Sequence, residues 1–327
     1  MRLHAALVLL AFLCGAAWAR PAGVEAFIER MVREHGFERK ALEAVLSDAR
    51  VRQDILEKIR RPAEKRLTWT RYRKIFLTDE RIREGRRFVE RNRPALERAE
   101  AQYGVPPEIV AAIIGVETFY GRITGRDRVL DALYTLAFHY PKRSRFFTDE
   151  LEKFLLLARE EGLDPRRPLG SYAGAMGLGQ FMPSSYLAYA VDFDGDGKRD
   201  IWKNEIDAIG SVANYFARHG WKRDFPVALR ARGVDPERHA AFLQAGLKPT
   251  FTLEKLQAAG IEFDGDINPR LQAALIALKT DQGAEYWLGL NNFYVITRYN
   301  RSPMYAMAVY QLARAIAGKE ADHAPSG

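Results

Sequence analysis

A glutamate inside an apolar run is the first residue of this sequence whose surroundings suit chemistry. Glu117 stands in Ile113-Ile114-Gly115-Val116-Glu117-Thr118-Phe119-Tyr120-Gly121. Helical spacing puts Ile113 one turn before it and Gly121 one turn after, so its face is not an ordinary charged surface. Apolar neighbours disfavour an ionised carboxylate, and the negative end of the helix acts in the same direction. A raised pKa is therefore expected, the property a general acid needs to protonate a leaving oxygen near neutral pH. A partly buried glutamate paired with an arginine such as Arg122 explains the same pattern structurally, and the residues alone leave both readings open.

Three further segments carry polar groups in unusual company. Ser171 to Tyr186 contains Gly174, Gly177 and Gly179 among small residues, a sign of close backbone approach or of φ values that other residues avoid. Such a loop can lie beside an extended ligand, with Ser171 and Gln180 offering hydrogen bonds to hydroxyls and amides. It can equally be a tight turn between packed helices. Asp192, Asp194, Asp196 and Asp200 fall at positions 1, 3, 5 and 9 of a loop with Gly197 at position 6, which is calcium-loop spacing. Lys198 would give its carbonyl at position 7. Position 12 is Lys203, which cannot bind a cation, so Asp207 or Glu205 must close a longer loop; Asp207 is the expected last ligand. Finally, Tyr299 and Asn300 pair a stacking surface with an amide, a combination that suits N-acetylated sugars. Tyr215 and Tyr305 can act similarly, although a lone aromatic is more often core.

These segments need elements to position them. From Val24 to about Tyr103 the pattern is helical, with Val24, Phe27, Ile28 and Met31 and then Leu42, Val45 and Leu46 at helical spacing. Arg60 to Arg91 is arginine-rich, with Trp69, Tyr72, Ile75, Phe76, Ile82 and Phe88 interleaved as expected core. Gly104-Val105-Pro106-Pro107 opens a new unit. Helices are expected over Glu108–Tyr120, Thr148–Glu161 and Glu205–His219, each stopping at a glycine. Between Phe225 and Gln282 short segments alternate with turn residues, and a small β-containing insertion is expected. Periodicity does not decide whether Leu271–Lys279 is strand or helix. Helix returns from about Asn292 to Ala317. No internal repeat or low-complexity tract is visible.

With 327 residues, 47% hydrophobic and 28% charged, the chain has the balance of a globular protein, and disorder is not expected outside its ends. Arg2 and His4 precede the apolar run Ala5–Leu13, and Ala17-Trp18-Ala19 has the form of a signal-peptide cleavage site. Export to the periplasm is expected. A lipoprotein at Cys14 ranks lower because Leu13 sits where a small residue belongs, and an uncleaved anchor ranks lower because the run is short. Cleavage after Ala19 removes the only cysteine, leaving packing and bound ions to stabilise the protein. The net charge of +8 suits an anionic polymer such as cell wall. Export argues against nucleic acid as a partner.

The four segments together resemble the lytic murein transglycosylase B family, the membrane-bound lytic transglycosylase B type of glycoside hydrolase family 103. The matching strings are Gly115–Gly121, Ser171–Ser185, Asp207–Phe216 and Ile296–Met307, in order across most of residues 104–312. The N-terminal region matches more loosely. The resemblance implies a mainly α (α+β) fold: an α-helical domain and a small β-containing domain flank a lysozyme-like core with an EF-hand-like calcium loop. On this plan residues 1–19 are the signal peptide, 20–103 the helical domain and 104–224 the catalytic core. Residues 225–290 form the β-containing insertion, 291–318 the return to the core and 319–327 a flexible tail.

It also implies a reaction. Glu117 would protonate the glycosidic oxygen between N-acetylmuramic acid and N-acetylglucosamine of peptidoglycan. The acetamido group would assist at C1, and the sugar's own 6-hydroxyl would attack with Glu117 as base. The product is a 1,6-anhydromuramoyl end, and no water is consumed. Ser171, Gln180, Tyr215, Tyr299, Asn300 and Tyr305 match positions lining the sugar groove. Met176, inside the same matching string as Ser171, is counted with them as a substrate-binding candidate. The ion, held by Asp192, Asp194, Asp196, Lys198 and Asp207, would be structural Ca2+. The loop departs from the family pattern by one extra residue before Asp207. A monomer acting on glycan strands is expected, with cell-wall synthesis complexes left open as partners. Two other functions compete. A goose-type lysozyme needs a second acid or base, for which Asp127 and Asp131 are the candidates. A non-catalytic, calcium-dependent wall-binding module needs none.

Overall fold

The computed structural model describes residues 23–60 and 67–319. The expected leader at 1–19 and nearly all of the expected tail lie outside them. The N-terminal region is helical, as its periodicity requires: α1 (Val24–His35), α2 (Arg39–Ser47), α3 (Gln53–Arg60), α4 (Trp69–Phe76), α5 (Asp79–Arg91) and α6 (Arg93–Tyr103). The apolar positions read at helical spacing are the buried ones, Val24, Phe27, Ile28 and Met31 on α1, and Trp69 and Tyr72 on α4. Ile75 departs from the expectation and is 48% exposed. Side-chain caps define the starts: Glu38 accepts the Lys40 and Ala41 N–H groups ahead of α2, and Thr78 accepts that of Arg81 ahead of α5.

The central helices are α7 (Pro107–Thr118), α8 (Val129–His139), α9 (Ser144–Glu160), α10 (Pro183–Tyr189) and α11 (Glu205–Arg218). Two short strands, β1 (Asp127–Arg128) and β2 (Leu169–Gly170), pair antiparallel between them. α9 begins at Ser144, four residues before the expected start. Every α7 residue from Ile109 to Val116 is buried, as befits a helix apolar all round. It packs against α5, α6, α11 and α15 (Pro303–Ile316).

Residues 225–290 contain the expected sheet. Strands β3 (Ala228–Arg232), β4 (Phe251–Thr252), β5 (Glu262–Phe263), β6 (Gln272–Thr280) and β7 (Gly283–Gly289) lie in the order β4-β6-β7-β3-β5, with every pair antiparallel. Short helices α12 (Ala240–Leu243) and α13 (Leu253–Ala258) are interspersed. The undecided segment is β6, paired with β7 from Ala274↔Gly289 to Thr280↔Gly283. Its pattern was ambiguous because both faces are covered. Ala274, Ile276 and Leu278 join the main core, whereas Ala273 and Leu275 join a smaller cluster with Leu253, Leu256 and Ile261. A strand covered on both sides loses the apolar–polar alternation.

The single helix expected over Asn292–Ala317 is two, α14 (Asn291–Tyr299) and α15. Pro303 cannot continue a helix from behind, and Ser302 turns outward and accepts the Tyr305 N–H as an N-cap. The resulting bend lies between Tyr299 and Tyr305. The fold is mainly helical with one small sheet, the class expected from the sequence. One apolar cluster runs from Val24 through α7 and α8 to Ile316.

Candidate active site

Glu117 is half-buried in the last turn of α7. The hydroxyl of Tyr305, on α15, donates to its Oε1 at 2.5 Å. Burial first, and then the Glu117 charge, hold the Tyr305 and Tyr299 phenols well above their usual range. Both therefore stay protonated, and Tyr305 remains a donor at physiological pH.

The chain just after Glu117 is unusual. Phe119, Tyr120 and Gly121 have φ of 51°, 57° and 88°, three left-handed residues in succession. For the two aromatics this costs about 1–3 kcal/mol each and needs strong surroundings. Phe119 is clasped between two guanidinium groups, Arg81 at 4.7 Å and Arg122 at 4.8 Å from its ring centroid. The Tyr120 ring lies against Gly85 and Gly115, where a Cβ would come within 2.4 Å and 2.6 Å of it. Its hydroxyl donates to the Arg81 carbonyl at 2.9 Å. Thr118 Oγ1 lies 3.1 Å from Ile114 O and 2.9 Å from Leu178 O, linking the helix end to the glycine-rich loop. Arg122, the suspected structural partner of Glu117, instead reaches Glu80 at 2.9 Å and Glu84 at 3.2 Å.

The glycine-rich segment forms a folded turn beside this helix end. Ser171 Oγ accepts from the Ala173 and Ala175 N–H groups at 3.3 and 3.0 Å. Met176 and Phe181 exchange backbone hydrogen bonds of 2.8 and 2.9 Å. Gln180 has a φ of 51°, and its amide donates to Thr124 O and Gly177 O. At Gly177 a Cβ would lie 2.4 Å from Ile201 O, so the close approach read from the sequence is real. Tyr299 donates to Gly179 O at 2.5 Å, which joins α14 to the turn. Tyr215 packs edge-on to Tyr299 at 4.7 Å and donates to Arg298 O.

The structure thus pairs Glu117 with Tyr305 and Tyr215 with Tyr299, Tyr299 being bound to the turn that carries Gln180 and close enough to feel the Glu117 charge. Ser171 braces the same turn, and Asn300 follows Tyr299 at the bend, half-buried. Met176 differs. It is 0% exposed and stands at the centre of the turn. Sequence reasoning passed over Phe119 with its two arginines, Tyr120 and Thr118. It also passed over His219, which stacks on Tyr215 at 4.0 Å and whose pKa burial lowers. The consecutive aromatics directly after the expected helix end were the available signal for the first group.

Neither aspartate proposed as a second acid is poised for that role. Asp127 pairs with Arg52 at 3.0 Å, and Asp131, 2% exposed, accepts the Arg50 N–H at 3.0 Å.

Asp192, Asp194 and Asp196 bring carboxylate oxygens within 4.8 Å of one another, a group able to hold a metal ion. The loop amides fold around them: Asp192 accepts from Gly195, Asp196 and Gly197, and Asp196 accepts from Lys198. Lys198 is exposed on the same loop. Asp207, the expected last ligand, stands apart from that three-carboxylate group. Its buried carboxylate accepts the N–H groups of Phe193 at 2.7 Å, Asp194 at 3.4 Å and Asp200 at 2.8 Å. The alternative, Glu205, forms a fork with Arg91 at 2.8 and 3.0 Å.

Comparison with known proteins gives the family. The family model described as the transglycosylase SLT domain matches residues 19–314. The membrane-bound lytic murein transglycosylase B of Escherichia coli (strain K12) is 46% identical over 312 residues, covering 93% of this chain and 85% of that protein. The soluble lytic transglycosylase SltB1 of Pseudomonas aeruginosa is 52% identical, with a TM-score of 0.85, over 90% of this chain and 97% of that one. The Escherichia coli lytic transglycosylase Slt35, whose structure is in complex with calcium, is 47% identical with a TM-score of 0.84, over 92% and 94%. With a family match over most of its length and full-length relatives near half identity, the chain belongs to the transglycosylase SLT domain family.

Proposed function

We propose that this protein is a lytic transglycosylase that cleaves the MurNAc-β-1,4-GlcNAc bond of peptidoglycan, with Glu117 as sole acid and base. The observation that carries the reading is Glu117 itself: a half-buried carboxyl at the end of an apolar helix, held by the Tyr305 hydroxyl. Glu117 gives its proton to the glycosidic oxygen as the C1–O bond breaks. The acetamido carbonyl of the muramoyl sugar shields C1. The 6-hydroxyl then bonds to C1 and returns its proton to Glu117, so the enzyme is restored and no water enters. A hydrolase of the two-carboxylate kind would need a partner acid, and Asp127 and Asp131 are bound to Arg52 and to the Arg50 amide. Ser171, Gln180, Tyr215, Tyr299 and Asn300 are the groups proposed to meet the sugars.

The proposal extends to the ion. Three carboxylates and a carbonyl are hard oxygen donors of the kind calcium takes, and like charges this close repel one another without a cation. Asp192, Asp194, Asp196 and the Lys198 carbonyl would hold a structural Ca2+, with Asp207 bracing the loop through its amides. The reading puts the protein in the periplasm as a monomer acting on glycan strands, supported by its likeness to a membrane-bound lytic murein transglycosylase. Among the described residues no helix is long and apolar enough to cross a membrane.

Digestion of purified sacculi followed by mass measurement tests the reaction. Soluble muropeptides one water lighter than hydrolysis products are expected. Ordinary reducing ends would replace this reading with the lysozyme one.

A further inference from the structure

Beside the aromatic cluster lies a second feature that the reaction does not use. A cavity of about 310 Å³ is lined by Ala245, Leu247, Lys248, Tyr294, Thr297, Arg298 and Arg301. Tyr294, Thr297 and Arg298 share one face of α14 at spacings of three and four, and Arg301 follows in the bend after the helix. Val295 and Ile296, on the same helix, are buried in the core. The opposite wall, Ala245 to Lys248, comes from the segment between α12 and β4, so the cavity lies where the β-containing part meets α14.

Its charge is one-sided. Lys248, Arg298 and Arg301 are exposed, no acidic residue lines the cavity, and no ion pair engages any of the three among the described residues. Elsewhere on the surface Arg39, Arg52, Arg122, Arg199 and Arg232 each have a carboxylate partner. The cavity is also tied to the site. The carbonyl of Arg298 accepts the Tyr215 hydroxyl at 2.6 Å, and Tyr299 follows Arg298 directly.

We infer that this cavity binds the carboxylates of the peptide branch carried by the muramoyl sugar. The inference rests on the proposed substrate. A glycan strand of N-acetylated sugars, its lactyl groups amidated by peptide, is uncharged along its backbone. The carboxylates of peptidoglycan sit on the peptide branches, so three cations without acids face the wrong chemistry for the sugars and the right one for the stems. Arginine forks suit carboxylates in pairs, and the flanks of Tyr294 and Leu247 suit short aliphatic side chains. The cavity therefore selects strands that still carry peptides.

The test compares two substrates: strands bearing tetrapeptide stems, and the same strands stripped of peptide by an amidase. For the Lys248→Glu, Arg301→Glu double variant, the ratio of kcat/KM on stemmed over stripped strands should fall about tenfold, mainly through KM. A ratio equal to that of the wild type overturns the inference, as does an equal loss on both substrates. The thermal midpoint of the variant reads its folding separately. Titration of 15N-labelled protein with a free tetrapeptide containing γ-linked D-glutamate provides a readout without turnover. Shifts at the Tyr294 and Arg298 amides that weaken with salt are expected, and their absence at millimolar peptide counts against the cavity. Because this titration is independent of the cleavage products, the cavity and the proposed reaction can fail separately.

Discussion

Glu117 and Tyr305 are 188 residues apart in the chain yet share a hydrogen bond of 2.5 Å. The donor favours the ionised carboxylate, so it acts most when Glu117 has given up its proton and waits as base. Tyr305→Phe keeps the ring and removes the donor. It should lower kcat about tenfold to a hundredfold, the loss of one charge-assisted hydrogen bond. The sign of the pH effect follows: without the donor the ionised form is less favoured, the Glu117 pKa rises, and the alkaline limb of the pH–rate profile moves to higher pH. Rates on sacculi across pH check this, and an unshifted profile would make Tyr305 merely structural. Glu117 was legible because a carboxylate in an apolar helix breaks the pattern around it. Tyr305 was legible as one aromatic able to meet a sugar but not as the donor to Glu117, because a tyrosine among alanines and methionines on α15 looks like core. Met176 was named from a matching string alone, and its burial within the turn could not be read from the sequence.

At the scale of elements, helices with one apolar face and capped ends were readable to within a few residues. Two kinds of element were not. β6 hid its strand period because its two faces enter different clusters. The break between α14 and α15 was missed although Asn300-Arg301-Ser302-Pro303 interrupts the apolar pattern there. The aspartate loop was readable as an oxygen-donor cluster from spacing alone, but the position of Asp207 against it was not. Asp207 sits beneath the loop on three amides, a placement that depends on backbone direction rather than sequence distance. The loop yields a measurement. A ligand bound only to the native state stabilises it by about 2.7 kcal/mol at about 100 times Kd. Thorough chelation should therefore lower the thermal midpoint by several degrees, and added calcium should restore it. An unchanged midpoint would leave the cluster a solvated turn.

Across the whole molecule, one apolar core joins the N-terminal helices to α7, α8 and α15. The N-terminal region is more than an appendage to the site. Arg81 of α5 clasps Phe119, and Gly85 receives the Tyr120 ring. The left-handed turn behind Glu117 is thus held by residues some 30 to 40 positions upstream, a dependence that the looser sequence resemblance of that region did not suggest. The account as a whole stands on a single carboxyl group serving twice in one turnover. The most direct measurement is therefore the activity of Glu117→Gln on sacculi, with glycan binding followed in parallel. The account predicts that release of anhydromuramoyl fragments falls to background while the variant still binds strands. Fragment release at more than a small fraction of the wild-type rate would show that another group supplies the proton, and would contradict the account.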